Sequence, residues 1–406
     1  MRYLSLFVFS LTLLFTACTS TQSPRQLPEA TYRAVLQAQD QQEIPFVFRV
    51  TSPASLEVYN AGELIQVDEI SYENDSVHIQ MPVFECWINA KIADDGSLNG
   101  YYAKAGSTDT VPFTAVQDSV RFPVTEAPKV DVSGSWEVVF SPDAADGGSL
   151  AKGIFEQNNG KVSGTFRTTT GDYRYLEGVV DGNTLKLSTF DGAHAFLFTA
   201  TVSDSTMNGR FYSRNTWQEP FTARRNDAFE LPDAESLTAL KEGYDRIEFS
   251  FPDEKGNLVS LADRQFRNKV VVVQIMGSWC PNCLDETRFF TEYAKAHPDM
   301  PVAFVGLAFE YAKTDSAAFH AISRLKERVG VEYPVLLAQY GTTNKDQAQE
   351  KLPMLNHIMS FPTSIYIDKQ GKVRRIHTGF DGPATGDKYE AFKQEFDRFI
   401  SKLAAE

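Results

Sequence analysis

The sequence predicts a multidomain chain, with an N-terminal all-β region of two repeated antiparallel barrel or sandwich units followed by a C-terminal α/β domain. Three observations carry that expectation. Residues 31–226 read as short alternating runs broken by Gly, Asp and Asn, the texture of small antiparallel units. Part of this region occurs twice: Ala90-Lys91-Ile92-Ala93-Asp94-Asp95-Gly96-Ser97-Leu98-Asn99-Gly100-Tyr101-Tyr102 parallels Ala200-Thr201-Val202-Ser203-Asp204-Ser205-Thr206-Met207-Asn208-Gly209-Arg210-Phe211-Tyr212, and Phe113 falls opposite Phe221. Beyond residue 246 the texture changes, and the apolar run Val270-Val271-Val272-Val273-Gln274-Ile275-Met276 gives way to helical spacing. At 406 residues, 42% of them apolar, the chain can bury more than one core.

Taken in order, Arg2 and the apolar residues 4–14 are too short to span a bilayer permanently and read as a signal peptide, residues 1–17. Its end, Leu14-Phe15-Thr16-Ala17-Cys18, resembles a bacterial lipobox with Phe15 in place of the usual leucine. That implies lipidation of Cys18 and a polar tether, residues 18–30; plain signal cleavage beside an incidental cysteine is the alternative. Either way the chain is exported. The first β-unit spans 31–122 and the second 130–226, separated by a break rich in Pro and charge. Residues 227–245 form a linker, read as a short helix, and 246–406 are the α/β domain.

Within that last domain the pattern runs strand 270–276, helix to about His297, strand 302–307, helix 316–329 and strand 364–367. A hairpin at Lys369-Gln370-Gly371 and a closing helix that buries Tyr389, Phe392, Phe396, Phe399 and Leu403 follow. This is an α/β sheet with a mixed edge.

The chemistry sits where the first of these strands meets the first helix, at Trp279-Cys280-Pro281-Asn282-Cys283. A CxxC in a strand-turn-helix unit reads as a redox dithiol. Pro281 suits the first helical turn and leaves Cys280 at the helix N-terminus, where unpaired N–H groups favour a thiolate. Cys280 is the predicted nucleophile, and Cys283, one turn deeper, resolves the mixed disulfide. A zinc half-site is the bland alternative, but the sequence holds no second CxxC or HxxxH pair.

With Phe251-Pro252-Asp253, residues 256–261, Gly277-Ser278-Trp279-Cys280-Pro281-Asn282-Cys283 and Phe361-Pro362-Thr363-Ser364-Ile365-Tyr366-Ile367-Asp368, the C-terminal third resembles the thioredoxin fold in its TlpA/ResA-like branch of thiol-disulfide oxidoreductases. The resemblance implies a cis Phe361-Pro362 bond lying against the dithiol and, with Trp279 and Pro281, shaping a peptide-binding surface. It also implies that Glu286 lies near the active site, as a proton acceptor for Cys283 or as a solvated helix residue. Gln274 stands where thioredoxins carry a buried aspartate, and Pro281-Asn282 departs from their Gly-Pro, which leaves reductant or oxidant open. The implied partners are disulfide-bearing proteins and a membrane thiol donor, with no cofactor.

A formal charge of -14 argues against nucleic acid or an anionic membrane surface as partner. Cys86 lies in an apolar strand-like run and reads as a buried inert thiol. His78, His194, His297, His320, His357 and His377 have no partner at metal spacing. Trp87, Trp136 and Trp217 line either a ligand groove or barrel cores. Two rival readings stand beside the dithiol: a peroxiredoxin-like thiol peroxidase, which would want a lone peroxidatic cysteine, and a binding module centred on the β-region.

Overall fold

The computed structural model describes residues 24–406; the leader, the lipobox and Cys18 lie outside the described residues. The first unit is a nine-stranded antiparallel meander in which strand Thr31–Gln37 pairs with both Glu43–Ser52 and the last strand, Val111–Gln117. It is open between Glu63–Val67 and Glu69–Glu73, the two ends of the sheet order. The second unit also has nine strands. Pairing of Ser149–Asn158 with Lys161–Thr168 closes its ring and leaves the two-residue strand Gly171–Asp172 outside it.

The sequence repeat is a repeat of register. Gly100 pairs with Ala90 on one side and Phe113 on the other, and Gly209 likewise with Ala200 and Phe221. A Cβ at Gly209 would strike the Phe221 ring, so the glycine leaves room for the aromatic beside it. Strand residues alternate inward and outward, and the second barrel is filled by Trp136, Phe140, Phe166, Phe198 and Phe221. Trp136 is fully buried and donates its indole N–H to Val132 O at 2.9 Å, while Trp217 is exposed, so these tryptophans share no groove.

The two units interlock. Phe190 of the second unit stacks on Phe46 of the first at 4.3 Å, and Tyr102 hydroxyl and Cys86 thiol both donate to Gly192 O, at 2.9 and 2.8 Å. Burial pushes the Cys86 thiol up to about 12, so it stays protonated.

Two sequence expectations need correction. The last residues of the presumed tether are not free: Leu27 is buried, and Arg25 bonds Ile92 O at 2.8 Å and Asp94 at 2.7 Å, because one apolar side chain in a polar run suffices to dock it. The linker is not helical either. It runs as turns and extended chain, pairing Leu240 with Leu355, and Thr378 hydroxyl donates to Thr238 at 2.8 Å. Beside isolated turns at Ser236 and Tyr244, its backbone groups bond across to the C-terminal domain at Met354, Asn356, Val373 and Thr378.

That domain is built on a five-stranded sheet in the order Val335–Gln339, Val302–Phe309, Val270–Met276, Thr363–Ile367, Val373–Thr378. The first three strands are parallel, and Thr363–Ile367 runs antiparallel to both of its neighbours. Val270–Met276 is buried at every residue, which explains an apolar run interrupted only by Gln274, whose amide finds partners on α1. Helices α1 (Pro281–Ala296), α2 (Asp315–Val329), α3 (Lys345–Lys351) and α4 (Asp387–Ala405) complete it. On α4 it is Phe396, Ile400 and Leu403 that are buried, whereas Tyr389, Phe392 and Phe399 are half-buried at its margin. Helix α2 clamps the first unit, with Arg324 bidentate on Glu69 at 2.8 and 3.1 Å and Arg328 on Asp68.

Candidate active site

Strand Val270–Met276 ends at its carboxyl end in the turn Gly277-Ser278-Trp279, and Cys280 caps α1. Its sulfur accepts the Cys283 N–H at 3.2 Å, the contact that would hold a thiolate in the reduced protein. Cys280 and Cys283 are joined as a disulfide, and Pro281 opens the helix behind the first sulfur. No acid sits in the first turn of α1 to oppose negative charge. Cys280 Sγ lies 3.4 Å from Phe361 O, and the Phe361-Pro362 bond is cis. Trp279 packs edge-on to Phe361 with ring centres 5.8 Å apart and donates its indole N–H to Phe309 O at 2.9 Å.

Two buried acids flank this turn. Glu286 is fully buried one helical turn beyond Cys283, and accepts from Ser364 hydroxyl at 2.7 Å and Gln274 amide at 2.9 Å. The same amide reaches Cys283 O at 3.1 Å, so Gln274 ties the acid to the helix turn that carries the second sulfur. Burial pushes the Glu286 carboxyl up to about 8, against the lowering effect of the two hydrogen bonds. Glu310, just past strand Val302–Phe309, accepts Ser278 N–H at 2.7 Å and Ser278 hydroxyl at 2.8 Å. Burial raises it to about 7.

The second β-unit reaches this site. Ser360 hydroxyl donates to Thr170 O at 3.0 Å, and Asn282 amide donates to Asp172 O at 3.1 Å. Gly171 lies between them at φ 135°, where a Cβ would run into Asn282. Arg174 is fully buried, bonds Pro281 O at 3.1 Å and ion-pairs with Asp285 on α1, Glu63 of the first unit and Asp191 of its own. Asp172 accepts Gly382 N–H at 2.6 Å, and burial with the nearby Asp285 charge raises it to about 7.

Residues 232–392 match the family model described as Redoxin. Over 142 residues the chain is 26% identical to the thiol-disulfide oxidoreductase ResA of Geobacillus kaustophilus, covering 35% of this chain and 72% of that protein. It is 25% identical over 140 residues to the thioredoxin-like protein YneN of Bacillus subtilis, covering 34% and 73%. Residues 232–392 are thus similar to thiol-disulfide oxidoreductases of the TlpA/ResA-like thioredoxin-fold family. Among solved structures it is similar to a thiol-disulfide oxidoreductase from Bacteroides fragilis at 18% identity, covering 37% of this chain and 99% of that one with a TM-score of 0.28. A thioredoxin family protein from Chlorobium tepidum is 21% identical, covering 41% and 99% with a TM-score of 0.30.

Of the residues singled out on the TlpA/ResA-like pattern, Trp279, Cys280, Pro281 and Phe361 line one cleft, with Pro362 next in the chain to Phe361 and with Cys283 and Glu286 behind the sulfur. Pro281 presents its carbonyl to Arg174. Glu310, Asp172, Arg174 and Asp285 were missed. Glu310 had a signal, an acid directly after an apolar strand at the carboxyl end of a parallel sheet, where sites gather. Arg174 and Asp172 had none, since nothing in a β-unit's pattern says which hairpin meets another domain. Among the described residues no group of three or more His, Cys, Asp or Glu is placed to hold a metal ion, and no helix is long and apolar enough to cross a membrane.

Proposed function

We propose that this chain is an exported, lipid-anchored thiol-disulfide oxidoreductase that reduces or exchanges protein disulfides in the periplasm. The observation that carries the reading is a cysteine pair at the start of α1, with the outer sulfur accepting a backbone N–H and lying 3.4 Å from Phe361 O. In the reduced protein the Cys280 thiolate attacks a client disulfide, and the client's other sulfur leaves and takes up a proton. Cys283 loses its proton, for which Glu286 is the acceptor in molecules whose carboxyl is ionised, and attacks Cys280 Sγ, which expels the client thiolate and leaves the Cys280–Cys283 disulfide. Two electrons pass to the client, and a membrane dithiol restores the protein. The pairing of both cysteines leaves a peroxidase, which would want a lone one, without support.

The test is the equilibrium potential of the pair in thiol buffers, with partner trapping by Cys283→Ala. A potential near about -270 mV marks a reductase and one near about -120 mV a disulfide donor; absence of any reversible two-electron couple sinks the proposal. For the anchor, Cys18→Ala is expected to move the protein from the membrane to the soluble fraction, and retention in the membrane would argue against lipidation there.

A further inference from the structure

The dithiol does not face open solvent. Cys280 is 5% exposed and lies in a cleft of about 640 Å³ between two domains. Trp279, Met359 and Phe361 form the wall on the C-terminal domain, and Leu150, Tyr173 and Phe196 form the facing wall on the second β-unit. Leu150 is 43% exposed at the rim, an apolar side chain with water on one side and the cleft on the other.

The facing wall is fastened on both sides of the sulfur. Ser360 and Asn282 hold the backbone at Thr170 and Asp172, Arg167 pairs with Asp381 at 2.7 Å, and Arg174 grips α1 at Pro281 and Asp285. Breaking a buried ion pair to swing the wall aside leaves uncompensated charge. A client sulfur must therefore enter the cleft as built. Its volume suits a drug-sized ligand or a few residues of chain, far less than a folded domain.

We infer that the client is an extended peptide segment carrying a disulfide-bonded cysteine flanked by an apolar or aromatic residue, and that the second β-unit supplies the wall that selects it. This rests on the oxidoreductase reading. The exchange is the one already written: Cys280 bonds the peptide's cysteine sulfur as the peptide's own S–S bond breaks, the released thiolate takes up a proton, and Cys283 then displaces the peptide as a thiolate. Apolar side chains on both sides give a flanking Phe surface to cover, and a flanking Asp in the same place loses its hydration, since the one lysine on the lining, Lys345, already has its ammonium on Met359 O and Glu219 adds a like charge.

The test uses the reduced full-length protein and three substrates: a four-residue peptide disulfide with Phe beside the cysteine, its counterpart with Asp, and a stably folded protein with a surface disulfide. The expected result is at least a tenfold higher kcat/KM for the Phe peptide than for either other substrate. Leu150→Asp at the exposed rim, and independently Thr169→Trp on the facing wall, are expected to cut the Phe-to-Asp ratio at least threefold. Equal rates for the two peptides, a folded protein reduced as fast as the Phe peptide, or a ratio unmoved in both variants overturns the inference. Failure of the underlying reading looks different, because then none of the three substrates, nor glutathione disulfide, is turned over.

Discussion

At the scale of single residues, the two buried acids act on the dithiol turn in different ways. Glu286 has a folded pKa of about 8 against an ordinary value of 4.5, so the folded chain keeps a proton that the unfolded chain has released between those values. Stability then falls as pH rises through that window, with Asp172 and Glu310 adding slopes of the same sign up to about 7. Glu286→Gln carries no proton to lose, so its urea midpoint is expected to fall less steeply than wild type between pH 5 and 8. If Glu286 takes the Cys283 proton, the same variant slows release of a trapped mixed disulfide about 10²-fold; an unchanged release rate would make the residue purely structural. Glu310 instead fixes the approach to Cys280 by accepting from both Ser278 donors. Glu310→Leu leaves those donors buried without an acceptor, at about 1–3 kcal/mol for each. Glu310→Gln keeps one acceptor and is expected to recover much of the loss in urea denaturation at pH 6.

At the scale of elements, what could be read in advance follows from which signals are local. Strand Val270–Met276, α1 and α4 are written in runs and periods within their own residues, and so are Cys280 and its neighbours. Helix α3 is a seven-residue polar segment capped by Asn344, with one buried alanine and no apolar stripe to announce it. Segment 227–245, read as a short helix, misled because its partners lie across in the loop at Leu355 and Asn356 and at Thr378. The loop that meets the dithiol depends on the same long-range fit. Gly379 adopts φ 78°, and a Cβ there would press on the Thr170 carbonyl carbon at 2.9 Å. Gly379→Ala is expected to cost at least about 1–2 kcal/mol from the left-handed backbone alone, and to speed amide exchange across 168–175 by pushing that loop outward. Exchange unchanged in that segment would mean the two domains shift together and the contact is not a fixed seam.

At the scale of the whole molecule, three domains meet on one cation. Phe190 of the second unit packs into the first against Phe46 and Tyr102, and Asp191 in the turn after it pairs with Arg174. Arg174 extends the seam to Glu63 and to Asp285, so core filling and dithiol positioning share one guanidinium. Arg174→Met keeps most of the volume and removes the charge. Asp285 then retains Arg288 at 3.5 Å and Asp191 retains His194 at 3.2 Å, but Glu63 is left with only Asn60 amide at 3.5 Å. The expected cost is about 3–5 kcal/mol near pH 7.5, as for other buried pairs broken on one side. Burial already raises the Glu63 carboxyl, and loss of the Arg174 attraction raises it further, so the variant takes up a proton there more readily than wild type. The gap between the two proteins is therefore expected to narrow as pH falls toward 5. Arg174→Lys restores a charge but cannot span three carboxylates and the Pro281 carbonyl at once, so only partial recovery is expected. Urea unfolding of the three proteins at pH 5 and 7.5 measures this directly. A gap under about 1 kcal/mol at both pH values would show that the domains are held by their apolar contacts and that Arg174 only fills space between them.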